Sequence, residues 1–448
     1  MGQIFREIKR TILEAPLYYL VSGIIAICKR IPTSFLRSLG KSLGSIAFYT
    51  IKDYRKTALT NLALAFPQKP FNERYKIARE SLQHVVITVL ELLAMEKFVK
   101  NIDELITIAT SSINPEGFSP KELISDEELE LTFKQLNESQ GLILFCGHQA
   151  NWELPFLYIT KNHPGIAFAK PIKNQRLSKK IFSLREVFKG KIVPPKHGIQ
   201  QGIEALNKGQ FVGIVGDQAL LTSPYTYPLF GSPAFTTTSP ALLAYKTGLP
   251  VIAISVYRQS KGFQIIPSTK LYANKSLPMK ESVSILMDQM MGFLEKGIAS
   301  HPEQWMWIHK RWKRKISNLI KKKYRYSHIL VIVDQASTHL PFLKALAKCF
   351  SGATLSLAFK NADNLEKLEE TLSTYSFLHF KNDQDLLALP NCYPAIFDLN
   401  NNLKHLYRHF KKTGSRTIYS KKFLEKILDN PKAPLENSLR IFYAKNPN

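Results

Sequence analysis

His148 and Glu153 stand five residues apart in Gly147-His148-Gln149-Ala150-Asn151-Trp152-Glu153, directly after the apolar run Leu142–Cys146. Such a run predicts a buried strand, and the glycine predicts a turn at its end. Residues five apart on an ideal helix point about 140° from each other, so these side chains meet only if His148 precedes the helix. Placed so, the carboxylate holds one imidazole nitrogen and leaves the other to take a proton from a hydroxyl. A capping histidine beside a surface glutamate fits the same residues, and the spacing alone does not choose.

Other chemistries find no support. The sequence has no HExxH, no G-x-S-x-G and no GxxxxGK[ST], which excludes zincin, nucleophile-elbow and P-loop readings on motif grounds. His163 and His197 lack carboxylates at metal-ligand spacing, so no metal is predicted. Cys28, Cys146, Cys349 and Cys392 form no CxxC and are expected as free thiols in a reducing compartment.

The elements that must position His148 follow from periodicity. Leu142–Cys146, Ile166–Ala169, Phe211–Val215 and Val251–Val256 predict buried strands, with helices such as Ser178–Phe188 and Ile199–Asn207 between them. This alternation predicts a mainly parallel α/β sheet with its site at the carboxyl ends of the strands. Upstream, Arg55–Phe66 and Asn72–Ala94 read as helices, the second with Val86, Leu90 and Leu93 on one face. Downstream of about residue 325 the β–α–β rhythm restarts, with strands over His328–Val333, Ala353–Phe359 and Phe377–Phe380 and helices over Leu340–Phe350 and Asn364–Tyr375. The domains expected are therefore 1–35, 36–325 and 326–448.

The 448 residues are 45% hydrophobic, ample for a core, and Lys and Arg outnumber Asp and Glu by 61 to 35. A net charge of +26 calls for a polyanionic partner, whether nucleic acid, anionic lipid, phosphorylated substrate or acidic protein. The densest run, Lys310 to Arg325, holds nine cations and no anion, and suits lipid phosphates at a membrane surface or a solvated interdomain helix equally. Near the amino terminus, Arg6, Lys9 and Arg10 precede an apolar stretch from Pro16 to Cys28. It is short of the ~20 residues of a standard span. It has no signal-peptide cleavage site, and Arg6 breaks the myristoylation pattern after Gly2. A shallow or single-pass membrane anchor is expected there. A nucleic-acid binder would need a recognisable module; only Trp305, Trp307 and Trp312 lie among cations, and no nucleic acid is expected.

Several blocks, taken in order over roughly residues 15–315, resemble the late acyltransferases of lipid A biosynthesis, the lauroyl/myristoyl transferase family. They are the anchor, RKTALTNLALAF-P (Arg55, Asn61, Phe66, Pro67), GHQANWE, K-P-I-K-N (Lys170 to Asn174), Arg185, G-I-V-G-D-Q (Asp217, Gln218), L-F-G-S-P-A-F-T, T-G-L-P-V, Arg258 and Q-W-M-W-I-H-K-R-W. The resemblance implies an α/β fold similar to the glycerol-phosphate acyltransferases, a mixed sheet flanked by helices, with an inner-membrane anchor and a cytoplasmic catalytic domain. It implies acyl transfer from acyl carrier protein to a hydroxyacyl group of a Kdo-lipid A precursor in lipopolysaccharide biosynthesis, with no cofactor and no acyl-enzyme. By the same resemblance His148 is the general base, Glu153 orients it, and Arg185 stabilises the oxyanion. Lys170, Asn174, Asp217, Gln218 and Arg258 are expected to build the substrate site. A phosphatidylinositol mannoside or lysophospholipid acceptor would use the same dyad. Lys170 replaces the usual arginine of the family. Residues from about 330 on have no counterpart there; their rhythm is Rossmann-like but lacks GxGxxG, which fits an interaction domain of unknown role.

Overall fold

The computed structural model describes residues 2–113, 115–314, 328–362, 365–389, 393–400, 403–420 and 422, with side chains from residue 14 onward. Cys392 and the part of the basic run from 315 on lie outside the described residues. The chain forms two compact units, one of residues 1–50, 79–229 and 236–306, the other of residues 51–78, 230–235 and 307–448. The second unit thus recruits chain from upstream of the site, where the sequence suggested cuts at 35 and 325.

The first unit opens with helices α1 (Gly2–Arg30) and α2 (Thr33–Thr50). After α3 (Lys52–Ala65), which belongs to the second unit, α4 (Phe71–Leu93) leads back into the first. Its sheet contains β1 (Ile106–Ile108), β2 (Leu142–Cys146), β3 (Gly165–Phe168), β4 (Gly190–Val193), β5 (Phe211–Val215), β8 (Val251–Arg258) and β9 (Phe263–Pro267) in the order β1-β9-β8-β2-β5-β3-β4. β8 pairs antiparallel with β9 and every other described pairing is parallel, so the sheet is mixed as expected. The apolar runs LILFC and VIAISVY are buried almost throughout because sheet and helices cover both faces. Among the described residues no helix is long and apolar enough to cross a membrane. The apolar stretch expected to serve as an anchor ends at Lys29 and Arg30, short of the ~20 residues of a standard span.

The second unit holds a five-stranded, all-parallel sheet of β10 (His328–Gln335), β11 (Thr354–Asn361), β12 (Tyr375–His379), β13 (Ala395–Asp398) and β14 (Thr417–Ser420). Its order, β12-β11-β10-β13-β14, reverses direction beside β10, the doubly wound arrangement that the downstream rhythm predicted. Asn61 on α3 donates from its buried amide to the carbonyls of Trp307 and His309, 2.7 Å each, joining two of the blocks quoted above. Two cations in the described part of the basic run are structural. Arg311, fully buried, donates to the carbonyl of Phe235, and Trp312 and Arg314 donate to those of Ser232 and Pro233. These partners lie on or beside β7 (Ser232–Phe235), which follows β6 (Thr226–Leu229) of the first unit. Arg311 and Arg314 are not available to lipid phosphates.

Candidate active site

β2 and β5 are parallel neighbours in a register that sets Cys146 opposite Val215. Two residues beyond each strand end, His148 and Asp217 therefore stand side by side. His148 Nδ1 lies 2.5 Å from Asp217 Oδ1, and the His148 backbone N–H donates to Oδ2 at 2.8 Å. Trp305 Nε1 donates to the same Oδ2 at 2.7 Å. Gly147 makes this approach possible: a Cβ there would sit 3.0 Å from Asp217 Oδ2 and 2.7 Å from Leu294 Cδ1.

Burial alone would raise the Asp217 carboxyl. The positive charge that His148 carries when protonated and the hydrogen bonds donated by His148 and Trp305 outweigh it and hold the group well below the usual carboxylate range. An ionised Asp217 only accepts, so Nδ1 carries a proton, and when the ring is neutral Nε2 presents the lone pair. Gln218 Nε2 stands 3.2 Å from that nitrogen and donates to it. The edge of Trp152 meets the imidazole at a centroid distance of 4.9 Å.

The geometry does not pair His148 with Glu153. Glu153 ends the turn before the helix Leu154–Thr160 and accepts from Arg185 at 2.5 Å. The sequence spacing had His148 in the turn correctly, but the glutamate faces the helix Gln175–Arg185 instead. Arg185 Nε is buried with no acceptor among the described residues. His148, Glu153, Arg185, Gln218 and Lys170 all line one cavity of about 860 Å³, whose deeper wall includes Phe156 and Phe211. Cys146 lines it too, but burial, with the charges of Asp217 and Glu153, pushes its thiol far up and keeps it protonated.

Two expected substrate contacts lie elsewhere. Asn174 caps the helix Gln175–Arg185, accepting from Leu177 N at 2.9 Å, and its amide donates to the carbonyl of Glu14. It builds the element that carries Arg185 and does not line the cavity. Arg258, at the end of β8, is occupied below the site: Nη2 and Nε bind Glu91 at 2.7 and 3.1 Å, and Nη2 also donates to Thr88. Glu91 is fully buried and accepts further from Arg37 and Asn151.

This buried network holds the turn that carries His148. Asn151 binds Glu91, and Thr88 donates to the carbonyl of Ala150, whose φ of 43° is left-handed. From the other side Ala150 N donates to Gln304 O and Met306 N to His148 O. Sequence reasoning missed Glu91, Thr88 and the part played by Trp305. A signal existed for the first two: His84, Thr88 and Glu91 are a polar stripe at i, i+4 and i+7 on a helix with an apolar face.

His84 Nδ1 accepts from Arg258 Nη1 at 2.6 Å, and burial, then the guanidinium charge, lowers its pKa from 6.5 to about 4. An unfolded chain binds this proton near pH 6.5, whereas the folded one refuses it until about 4, so stability falls as pH drops through that window. His84→Gln is expected to remove about 2 kcal/mol of that acid loss, read from urea midpoints at pH 7 and 4.5. An unchanged difference between the two pH values would count against the burial of a neutral ring.

The family model for bacterial lipid A biosynthesis acyltransferases matches residues 6–314. The chain is 26% identical to a lipid A biosynthesis lauroyltransferase of Escherichia coli (strain K12) over 310 residues, 68% of this chain and 94% of the relative. It is 22% identical to a lipid A biosynthesis palmitoleoyltransferase of the same strain, covering 66% and 92%. A phosphatidylinositol mannoside acyltransferase of Mycobacterium tuberculosis (strain ATCC 25618 / H37Rv) matches less of both chains, 41% and 58%, at 20% identity. Because the family model matches more than half its length, the chain belongs to the bacterial lipid A biosynthesis acyltransferase family.

Proposed function

We propose that this acyltransferase moves a fatty acyl chain from the thioester of acyl carrier protein to a hydroxyacyl group of a Kdo-lipid A precursor, at the cytoplasmic face of the inner membrane. The observation that carries the mechanism is the His148–Asp217 pair, which leaves Nε2 as a base inside the cavity. The acceptor hydroxyl displaces Gln218 from Nε2 and gives up its proton there as its oxygen attacks the thioester carbon. Collapse of the tetrahedral intermediate breaks the C–S bond, and the imidazolium returns the proton to the departing thiolate. Asp217 stabilises the imidazolium and fixes the tautomer.

Arg185 supports a donor role toward the oxyanion: its Nε–H has no acceptor among the described residues, and Glu153 holds the other side of the guanidinium. Glu153 thus acts through Arg185. The apolar inner wall, with Phe156 and Phe211, suits a hydrocarbon chain, and Lys170 at the exposed lip suits an anionic group. The charge of +26 favours an acidic carrier and a phosphorylated acceptor together.

The test supplies purified enzyme with acyl carrier protein charged with chains of several lengths and a Kdo-lipid A precursor, and weighs the product. One added acyl chain supports the reading. Acylation of a mannoside or lysophospholipid instead would keep the chemistry and replace the acceptor. A further variant separates Glu153 from the base: Glu153→Gln is expected to lower kcat about 10-fold, with the acid limb of the pH–rate profile unmoved. A shift of that limb would mean that Glu153 acts on His148 after all.

A further inference from the structure

Both ring nitrogens of His148 are occupied in the resting site. Asp217 holds Nδ1, and the Gln218 amide donates at 3.2 Å to Nε2, the nitrogen that acyl transfer uses as its base. Trp152 meets the ring edge, and the His148 side chain is only 16% exposed. The base is built and then closed.

Orientation of the ring does not account for the contact with Gln218. Asp217 already fixes the tautomer through Nδ1 and ties down the turn through the His148 backbone N–H, while Trp305 steadies the carboxylate. A further hydrogen bond at Nε2 adds little to that placement. Its main effect is to occupy the one lone pair, because a nitrogen that accepts from an amide cannot take a proton from another donor.

Gln218 is placed to hold and to release. The two residues before it are anchored. Gly216 N donates to Cys146 O at 3.0 Å, and a Cβ at Gly216 would lie 2.5 Å from Phe145 Cε2, so the chain lies directly against β2. Asp217 is buried. Gln218 itself is exposed at the cavity wall near Leu220, and among the described residues its side chain makes no other hydrogen bond. An exposed amide on a fixed backbone swings aside by rotation of its own side chain. One neutral hydrogen bond favours the closed position roughly 2- to 10-fold.

Two nucleophiles compete for a bound thioester. An open base would activate water as readily as a lipid hydroxyl. The water oxygen would bond to the thioester carbon and the C–S bond would break. Nε2 would pass one proton to the thiolate, and the acyl chain would leave as free fatty acid. An acceptor seated in the cavity gains binding energy from parts remote from its hydroxyl, and that energy can move the amide. Water gains none. We propose that Gln218 selects a lipid-borne hydroxyl over water: its amide is a latch on Nε2 that a bound acceptor displaces, and while closed it protects the donor thioester from hydrolysis. The latch rests on the reading of His148 as the base for acyl transfer.

The test follows free fatty acid and acylated lipid together, with charged acyl carrier protein as donor and the Kdo-lipid A precursor as acceptor. Without acceptor, Gln218→Ala is expected to release fatty acid about 5-fold faster than wild type. With acceptor present, the ratio of hydrolysis to transfer is expected to rise by a similar factor, about 5-fold. Gln218→Glu is expected to slow both reactions, since a carboxylate accepts from Nε2 and keeps a proton there. The gain in hydrolysis is expected to vanish in His148→Ala/Gln218→Ala. Its survival there, or a ratio in Gln218→Ala equal to that of wild type, overturns the latch. So does a Gln218→Ala protein that loses transfer without gaining hydrolysis, which would put the amide on the substrate instead. A wild type that turns over neither the carrier thioester nor a pantetheine thioester overturns the acyl-transfer reading, and the latch with it.

Discussion

His148→Ala is expected to lower kcat for acyl transfer by about 10²–10⁴-fold, because it removes the proposed base, which lines the cavity beside the paired strand ends. Asp217→Asn is expected to cost a similar factor by another route. It keeps the size of the side chain, but an amide can donate to Nδ1, which moves the ring proton to Nε2 and blocks the base. The two losses should not add in the double variant, since both disable one unit. Circular dichroism and thermal melting serve as the folding control, and the separate Asp217→Glu protein tests whether a displaced carboxylate restores part of the rate. Full activity in Asp217→Asn would sink the dyad and return attention to Glu153.

The largest stability effect is expected at Arg258. Arg258→Met leaves Glu91, fully buried, with Arg37 and Asn151 but without its two-nitrogen partner, and breaking a buried ion pair in this way costs about 3–5 kcal/mol. Adding Glu91→Leu removes the orphaned charge, and the double variant should recover much of the loss. The check is a urea unfolding series on the four proteins, with a coupling energy taken from the cycle. A single-variant loss under about 1 kcal/mol would mean that water or a rearranged Arg37 neutralises Glu91. Activity should fall in both variants, since Glu91 also holds Asn151 in the catalytic turn.

What the sequence disclosed was local. The strand before Gly147, the turn that holds His148 and the parallel rhythm from residue 328 on all follow from short apolar runs and a glycine, and the structure has them at nearly the expected residues. What it withheld depends on strand order. Asp217 stood out as a site-building residue, yet its partnership with His148 comes from the register of β2 on β5, a contact between segments about seventy residues apart that no periodicity encodes. Glu153 received the dyad role from the family resemblance, since its spacing from His148 did not choose; only the path of the helix Gln175–Arg185 shows that an arginine claims it. Arg258 and Asn174 misled similarly, since a polar residue at a strand or helix end reads alike whether it meets substrate or braces the scaffold.

The tie between the catalytic turn and residues 304–306 also sets an order of events at the ribosome. His148 emerges early, but the hydrogen bonds from Ala150 to Gln304, from Met306 to His148 and from Trp305 to Asp217 need chain made much later. At about 5–20 residues per second that interval is roughly ten to thirty seconds. During it every strand of the first sheet becomes available while the left-handed Ala150 has no acceptor for its N–H. A nascent chain arrested just short of Gln304 should therefore hold the sheet without a competent base, so that the reactive centre is completed by the last segment of its unit to be synthesised.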